Sequence, residues 1–126
     1  MFIVIDENDR RPIYRQVADE IKALIARGDL AEGATLPPVR QMAGDLGVNL
    51  NTIAAAYREL QGEGLINVRH GSGAVVAART ASGQSTAEMR KPLRSALTQF
   101  SLAGLNRAEI MNIVAEELKD LWPGKR

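Results

Sequence analysis

The sequence predicts a mainly α chain with one small β-hairpin. A winged helix-turn-helix spans residues 1–78, a linker 79–86 and a two-helix segment 87–126. Three observations carry this reading. Apolar residues recur at helical spacing in three runs between residues 12 and 62, the last two joined by a glycine-containing turn. Two β-favouring runs then flank the glycine-rich stretch His70 to Gly73. After a Thr, Ala, Ser, Gly and Gln linker, two more amphipathic runs close the chain.

Phe2 to Ile5 is a short apolar stretch that suits either an edge strand or an arm packed on a later element. Pro12 then opens a helix whose stripe is Ile13, Val17, Ile21, Leu24 and Ile25, with Pro12 suited to its first turn and Gly28 to its C-terminal stop. Asp29 to Pro38, with Gly33 and two prolines, reads as a loop. The second helix, Val39 to Leu46, turns Val39, Met42, Ala43 and Leu46 to one side and stops at Gly47. Asn49 caps a third, carrying Ile53, Ala56, Tyr57 and Leu60 and ending between Gly62 and Gly64. Leu65 to Arg69 and Ala74 to Ala78 are the strands of the wing.

In the last segment Leu93, Ala96, Leu97 and Phe100 make one stripe, which Gly104 interrupts. Asn106 and Glu109 have the spacing of a capping box, and Ile110, Ile113, Val114, Leu118 and Leu121 form the stripe that follows. Two helices of this length cannot bury both stripes alone, so a second copy of the chain is the economical cover. Trp122, Phe100, Met89 and Met111 are expected in that dimer core, a ligand box being the minority reading.

Composition narrows the function. With no cysteine there is no disulfide scaffold, thiol nucleophile or thiolate zinc site, and one histidine makes a His-built centre a poor prospect. Apolar runs reach only four or five residues, and acids follow the apolar N-terminus at once, so neither a membrane span nor a secretory signal is expected. A cytoplasmic setting follows. The adjacent carboxylates Asp19–Glu20 and Glu116–Glu117 point in different directions on a helix, and phosphate-loop, serine-hydrolase and zincin motifs are missing, so an enzyme is not expected. No cofactor is expected either. Residues 1–78 carry eight Lys/Arg against ten Asp/Glu, net −2, and residues 79–126 eight against five, net +3. Any nucleic-acid contact in the first part must therefore be local.

Several strings then carry a resemblance. Leu36-Pro37-Pro38-Val39-Arg40, Leu46-Gly47-Val48, Thr52-Ile53, Glu63-Gly64-Leu65-Ile66 and Gly71-Ser72-Gly73 follow in order. Over residues 10–78 the chain resembles the GntR family of bacterial transcription regulators. Pro12-Ile13-Tyr14-x-Gln16, Tyr57 and the short helical tail are similar to its smallest, YtrA-like members. There are departures. Pro38 replaces the usual serine cap, with proline at a first helical position as the substitute, Leu50 stands where the subfamily often has proline and other members arginine, and the wing runs Gly73-Ala74-Val75-Val76, one aromatic short.

The resemblance implies a cytoplasmic homodimer, joined through the C-terminal helices, that binds a pseudo-palindromic site in double-stranded DNA as a repressor. The start of the third helix is expected in the major groove, with Asn49, Asn51 and Thr52 hydrogen-bonding base edges or phosphates; Asn49 alternatively serves only as a cap. Leu50 either touches a thymine methyl or is a plain solvent-exposed or packing leucine. The family pattern puts Arg40 on DNA, against the plainer option of a surface ion pair with Asp45 or another acid. Arg58 is open to two readings, phosphate contact or solvated face. Arg69, His70 and Gly71 are expected at the wing tip beside the minor groove, with a surface turn or a pH-sensitive group as the alternative for His70. Tyr57 is entered among the DNA contacts, although helix-face packing explains it as well. Near-neutral charge implies few phosphate contacts and a modest salt dependence. Two other functions stay open: a winged helix that binds protein instead of DNA, and a regulator gated by a small effector at the dimer seam. The operator, the regulated genes and the effector are not written in the sequence.

Overall fold

A computed structural model describes residues 3–69, 73–78 and 85–122. The chain divides into two compact units, Met1–Arg79 and Thr80–Arg126.

The first unit is built in the order α1 (Ile13–Ala26), β1 (Thr35–Leu36), α2 (Val39–Leu46), α3 (Leu50–Gly62), β2 (Ile66–Arg69) and β3 (Gly73–Val76). α3 lies at its centre and packs on both α1 and α2. The core joins Val17, Ala18, Ile21 and Ile25 of α1, Met42 and Ala43 of α2, and Ile53, Ala56, Tyr57 and Leu60 of α3. Leu36, Ile66, Ala74 and Val76 of the sheet close it from the other side. Apart from Ala18 and Leu36 these are the positions at helical and strand spacing in the sequence, and each large apolar side chain contributes about 1.5–3 kcal/mol by leaving water. Ile13, first in the predicted stripe of α1, is the exception: it lies at the helix start and is exposed.

The prolines act one position earlier than the sequence reading has them. Pro12 and Pro38 are the N-cap residues of α1 and α2, extended at ψ 152° and 153°, not first helical residues. Their carbonyls nevertheless accept the first intrahelical bonds, from Gln16 at 3.2 Å and from Met42 at 3.0 Å. Each proline thus starts a helix without a side-chain cap. Gly47 ends α2 in the left-handed region at φ 69°, as its place in the turn requires.

The wing holds three strands, not two. β1 pairs with β3 (Thr35 with Val75, Leu36 with Ala74), so the antiparallel order is β1-β3-β2. The predicted loop over Asp29 to Pro38 therefore contains a strand, which two residues between Gly33 and Pro37 are too few to announce by alternation. In β2 and β3, Val68 opposes Ala74 and Arg69 opposes Gly73. Gly73 has φ +83°, and a Cβ there would collide with the Leu36 carbonyl oxygen, so glycine is what lets β1 lie against the hairpin.

The N-terminal stretch resolves into the arm, not the edge strand. Ile3 is buried in the core. Gln16, 3% exposed, is the buried polar side chain that fastens the arm: its Oε1 accepts from the Asp6 N–H at 2.9 Å, and its Nε2 donates to the carbonyls of Asp6 and Arg11, both at 3.1 Å.

The second unit holds α4 (Thr86–Leu102) and α5 (Arg107–Leu121). α4 starts at Thr86, inside the stretch read as linker, because the Ser85 hydroxyl caps the Glu88 N–H at 3.2 Å. The remaining linker residues, 79–84, lie outside the described ones. At α5 the capping box forms as its spacing predicts: Glu109 N–H donates to Asn106 Oδ1 and Asn106 N–H to Glu109 Oε1, both at 2.9 Å. Neither helix contains a buried residue.

Candidate nucleic-acid interface

In the first unit, one face gathers residues from three elements. The first two turns of α3 present Leu50, Asn51, Ala54 and Tyr57, spaced one, three and three residues apart, and therefore along one side of the helix. The start of α2 adds Pro38, Val39 and Arg40, and the hairpin adds Val68, Arg69 and Gly73. Together they bound an open groove of about 440 Å³.

Two hydrogen bonds hold the groove in shape. Tyr57 is 1% exposed and its hydroxyl donates to the Pro37 carbonyl at 2.7 Å, tying the middle of α3 to the segment that leads into α2. Burial pushes its phenol up to about 12. The expectation that Tyr57 touches DNA is thereby corrected: ring and hydroxyl are taken up inside, and the residue props the groove. Gln61 supplies the second bond, its Oε1 accepting from the Val68 N–H at 2.8 Å and so fixing the wing to the end of α3. Sequence reasoning missed Gln61, since a glutamine near a helix end carries no signal of where it reaches.

The remaining expected residues separate as follows. Asn49 caps α3, its Oδ1 accepting from the Asn51 N–H at 2.7 Å. Asn51 is exposed in the groove and Thr52 is half-buried beside it. Leu50, 38% exposed at the entrance of α3, is not part of the core. Arg40 is exposed and forms no ion pair with Asp45 among the described residues. Arg58 is exposed one turn beyond Ala54, continuing the same helix face, and Arg69 is exposed at the end of β2. His70 and Gly71 lie outside the described residues.

Charge is segregated within this unit. Arg11 bonds Asp9 at 2.6 Å and Asp19 at 2.7 Å, and Arg27 bonds Asp29 at 2.7 Å. Glu59 receives Arg15 at 2.7 Å and Lys22 at 3.2 Å, and Lys22 also reaches Glu63 at 2.8 Å. The cations of α1 are thus spent on acids of the scaffold. Arg40, Arg58 and Arg69 are in no ion pair among the described residues, so a unit of net −2 still offers three open guanidinium groups beside α3. A helix N-terminus lined with amides and a hydroxyl, flanked by arginines and a wing, is the arrangement that reads base edges while holding phosphates.

Fold and groove together define a winged-helix regulator of transcription. The family model described as "Bacterial regulatory proteins, gntR family" matches residues 13–76, and the chain belongs to this family as a YtrA-like member. It is 30% identical over 127 residues to the HTH-type transcriptional repressor YtrA of Bacillus subtilis (strain 168), covering 98% of each chain. Among solved structures, a transcriptional antiterminator from Listeria monocytogenes EGD-e is similar at TM-score 0.87 and 30% identity, over 100% of this chain and 96% of that one. The AraR DNA-binding domain in complex with operator ORX1 matches at TM-score 0.54 and 26% identity, over 61% of this chain and 96% of that one. These relatives are regulators, and nothing among them points to an enzyme. Among the described residues no helix is long and apolar enough to cross a membrane.

Proposed function

We infer that this chain is a homodimeric repressor that recognises a pseudo-palindromic operator in double-stranded DNA. The observation that carries the reading is the convergence of the α3 N-terminus, Arg40 and Arg69 on one groove held by the Tyr57–Pro37 bond. Residues 1–78 act as the DNA-binding domain, with α3 in the major groove. Asn51 and Thr52 contact base edges or phosphates, and Leu50 meets a thymine methyl. Arg40 and Arg58 hold phosphates, and Arg69, His70 and Gly71 bring the wing beside the minor groove. Asn49 shapes the helix start.

Residues 87–126, joined through the linker 79–86, act as the dimerisation segment. Support comes from what α4 and α5 leave uncovered: Leu93 is 52% and Met111 59% exposed, and both line an apolar groove of about 630 Å³ with Leu97, Leu105, Ile110 and Val114. A second copy seated there places two α3 helices on one duplex, and two-fold symmetry in the protein then asks for two-fold symmetry in the site. The repressor role draws on the relative from Bacillus subtilis that bears that name.

The test is selection of bound fragments from the source genome at physiological salt. A two-fold-symmetric motif is expected, lost in Arg40→Gln and Asn51→Ala variants whose melting temperature is unchanged. A folded dimer that recovers no motif would sink the reading in favour of a protein-binding winged helix or an effector-dependent regulator.

A further inference from the structure

The positive charge of the tail is concentrated at its start. Residues 79–94 contain Arg79, Arg90, Lys91 and Arg94 against the single acid Glu88, net +3, whereas residues 95–126 contain four cations and four acids. All of the excess therefore lies in the stretch that follows the wing.

On α4, Arg90, Lys91 and Arg94 are exposed and share one patch with Thr86 and Ala87. Lys91 is bonded to Glu88 at 3.1 Å, but Arg90 and Arg94 are in no ion pair among the described residues. They stand one turn apart, about 6 Å along the helix axis. At 100° per residue both lie at one edge of the stripe of Leu93, Leu97 and Phe100, Arg90 about 20° and Arg94 about 60° beyond Leu97. Guanidinium groups grip phosphate oxygens in two-point geometry. Such a pair, without an aromatic or amide between, offers attachment and no means of reading bases.

We propose that Arg90 and Arg94 form a second, sequence-independent DNA contact that binds backbone phosphates flanking the operator. This rests on the operator-binding reading above. The winged-helix unit, net −2, supplies selectivity with little long-range attraction, and the head of α4 supplies the attraction. The rival occupant is protein, above all the acids Glu116, Glu117 and Asp120 on α5 of a second copy.

The test uses the full-length Arg90→Gln, Arg94→Gln double variant, which keeps two good helix formers. Its affinity for the selected duplex and for a shuffled duplex of equal length is measured across a salt series, with the oligomeric state followed by sedimentation. For a dimer the slope of log K against log salt becomes shallower by about 3.6, four phosphates at roughly 0.9 each. The affinity lost between 50 and 200 mM salt accordingly shrinks by about 100-fold. Both duplexes are affected alike, and the dimer and the ratio between duplexes are unchanged. An unchanged slope overturns the proposal. So does a dissociated dimer, which would assign the arginines to the contact between copies. A wild type with no preference for any duplex defeats the operator reading instead; the α4 contact is then upheld or overturned by the slope on the shuffled duplex alone.

Discussion

α3 turns Ile53, Ala56, Tyr57 and Leu60 into a core shared with α1, α2 and the sheet, while α4 and α5, each longer than α3, carry apolar stripes that stay half-buried or exposed. Both regions show the same helical periodicity, so periodicity tells which face is apolar and not what covers it. In the first unit the cover comes from the same chain. In the second, on the function proposed above, it comes from a second copy, and the two regions are then expected to differ in how their stability depends on concentration.

The largest expected effect targets that difference. Leu93→Ser with Leu97→Ser removes four leucines from a dimer, at about 1.5–3 kcal/mol each. Sedimentation should show the dissociation constant rising by about a thousandfold or more, with the melting of the first unit in place; an unaffected dimer would break the comparison. Ile53→Ala is the counterpart in the first unit. Fully buried under α1 and α2, it should cost about 2–5 kcal/mol in thermal or urea unfolding, equally at every protein concentration.

Tyr57→Phe comes next. It keeps the buried ring and loses the bond to Pro37, costing about 0.5–1.5 kcal/mol. Its pH dependence has a definite sign. The folded phenol ionises at about 12 against an ordinary 10.0, so its contribution is whole below pH 10 and disappears as pH rises towards 12. Unfolding curves of the wild type should show that loss, and those of the phenylalanine variant a smaller one. The smallest effect sharpens the contrast: Asn49→Ala and Asn106→Ala each delete a helix cap of about 1 kcal/mol. The first should register at any dilution, the second only in the concentration-dependent transition of the tail.

Spacing foretold the five helices, since stripes, prolines and glycines are local signals. It foretold the caps at Asn49 and Asn106 for the same reason. β1 escaped because two residues cannot alternate, and the N-cap placement of Pro12 and Pro38 escaped because proline is compatible with both adjacent positions. The groove positions of Asn51 and Leu50 were legible from the start of the third helix, that of Arg69 from the hairpin, and that of Arg40 from the family pattern. Tyr57 carried two readings, DNA contact and helix-face packing, because a tyrosine offers both a ring for a core and a hydroxyl for a surface, and it is the packing that the buried ring bears out. The Glu59 clamp depends on contacts between elements distant in the chain, which no window of sequence contains, while Gln61 reaches only seven residues on to Val68 but carries no signal of that bond.

The pairing of cations on the scaffold has a further consequence. Arg15 and Lys22 close on Glu59, and Arg11 on Asp9 and Asp19, while Arg40, Arg58 and Arg69 are left open beside α3. A body with almost no net charge can still be electrically lopsided, and in the field of a polyanion such a body feels a torque more than a pull. The DNA-binding unit would arrive slowly but correctly turned, so that few of its encounters are wasted on the wrong face.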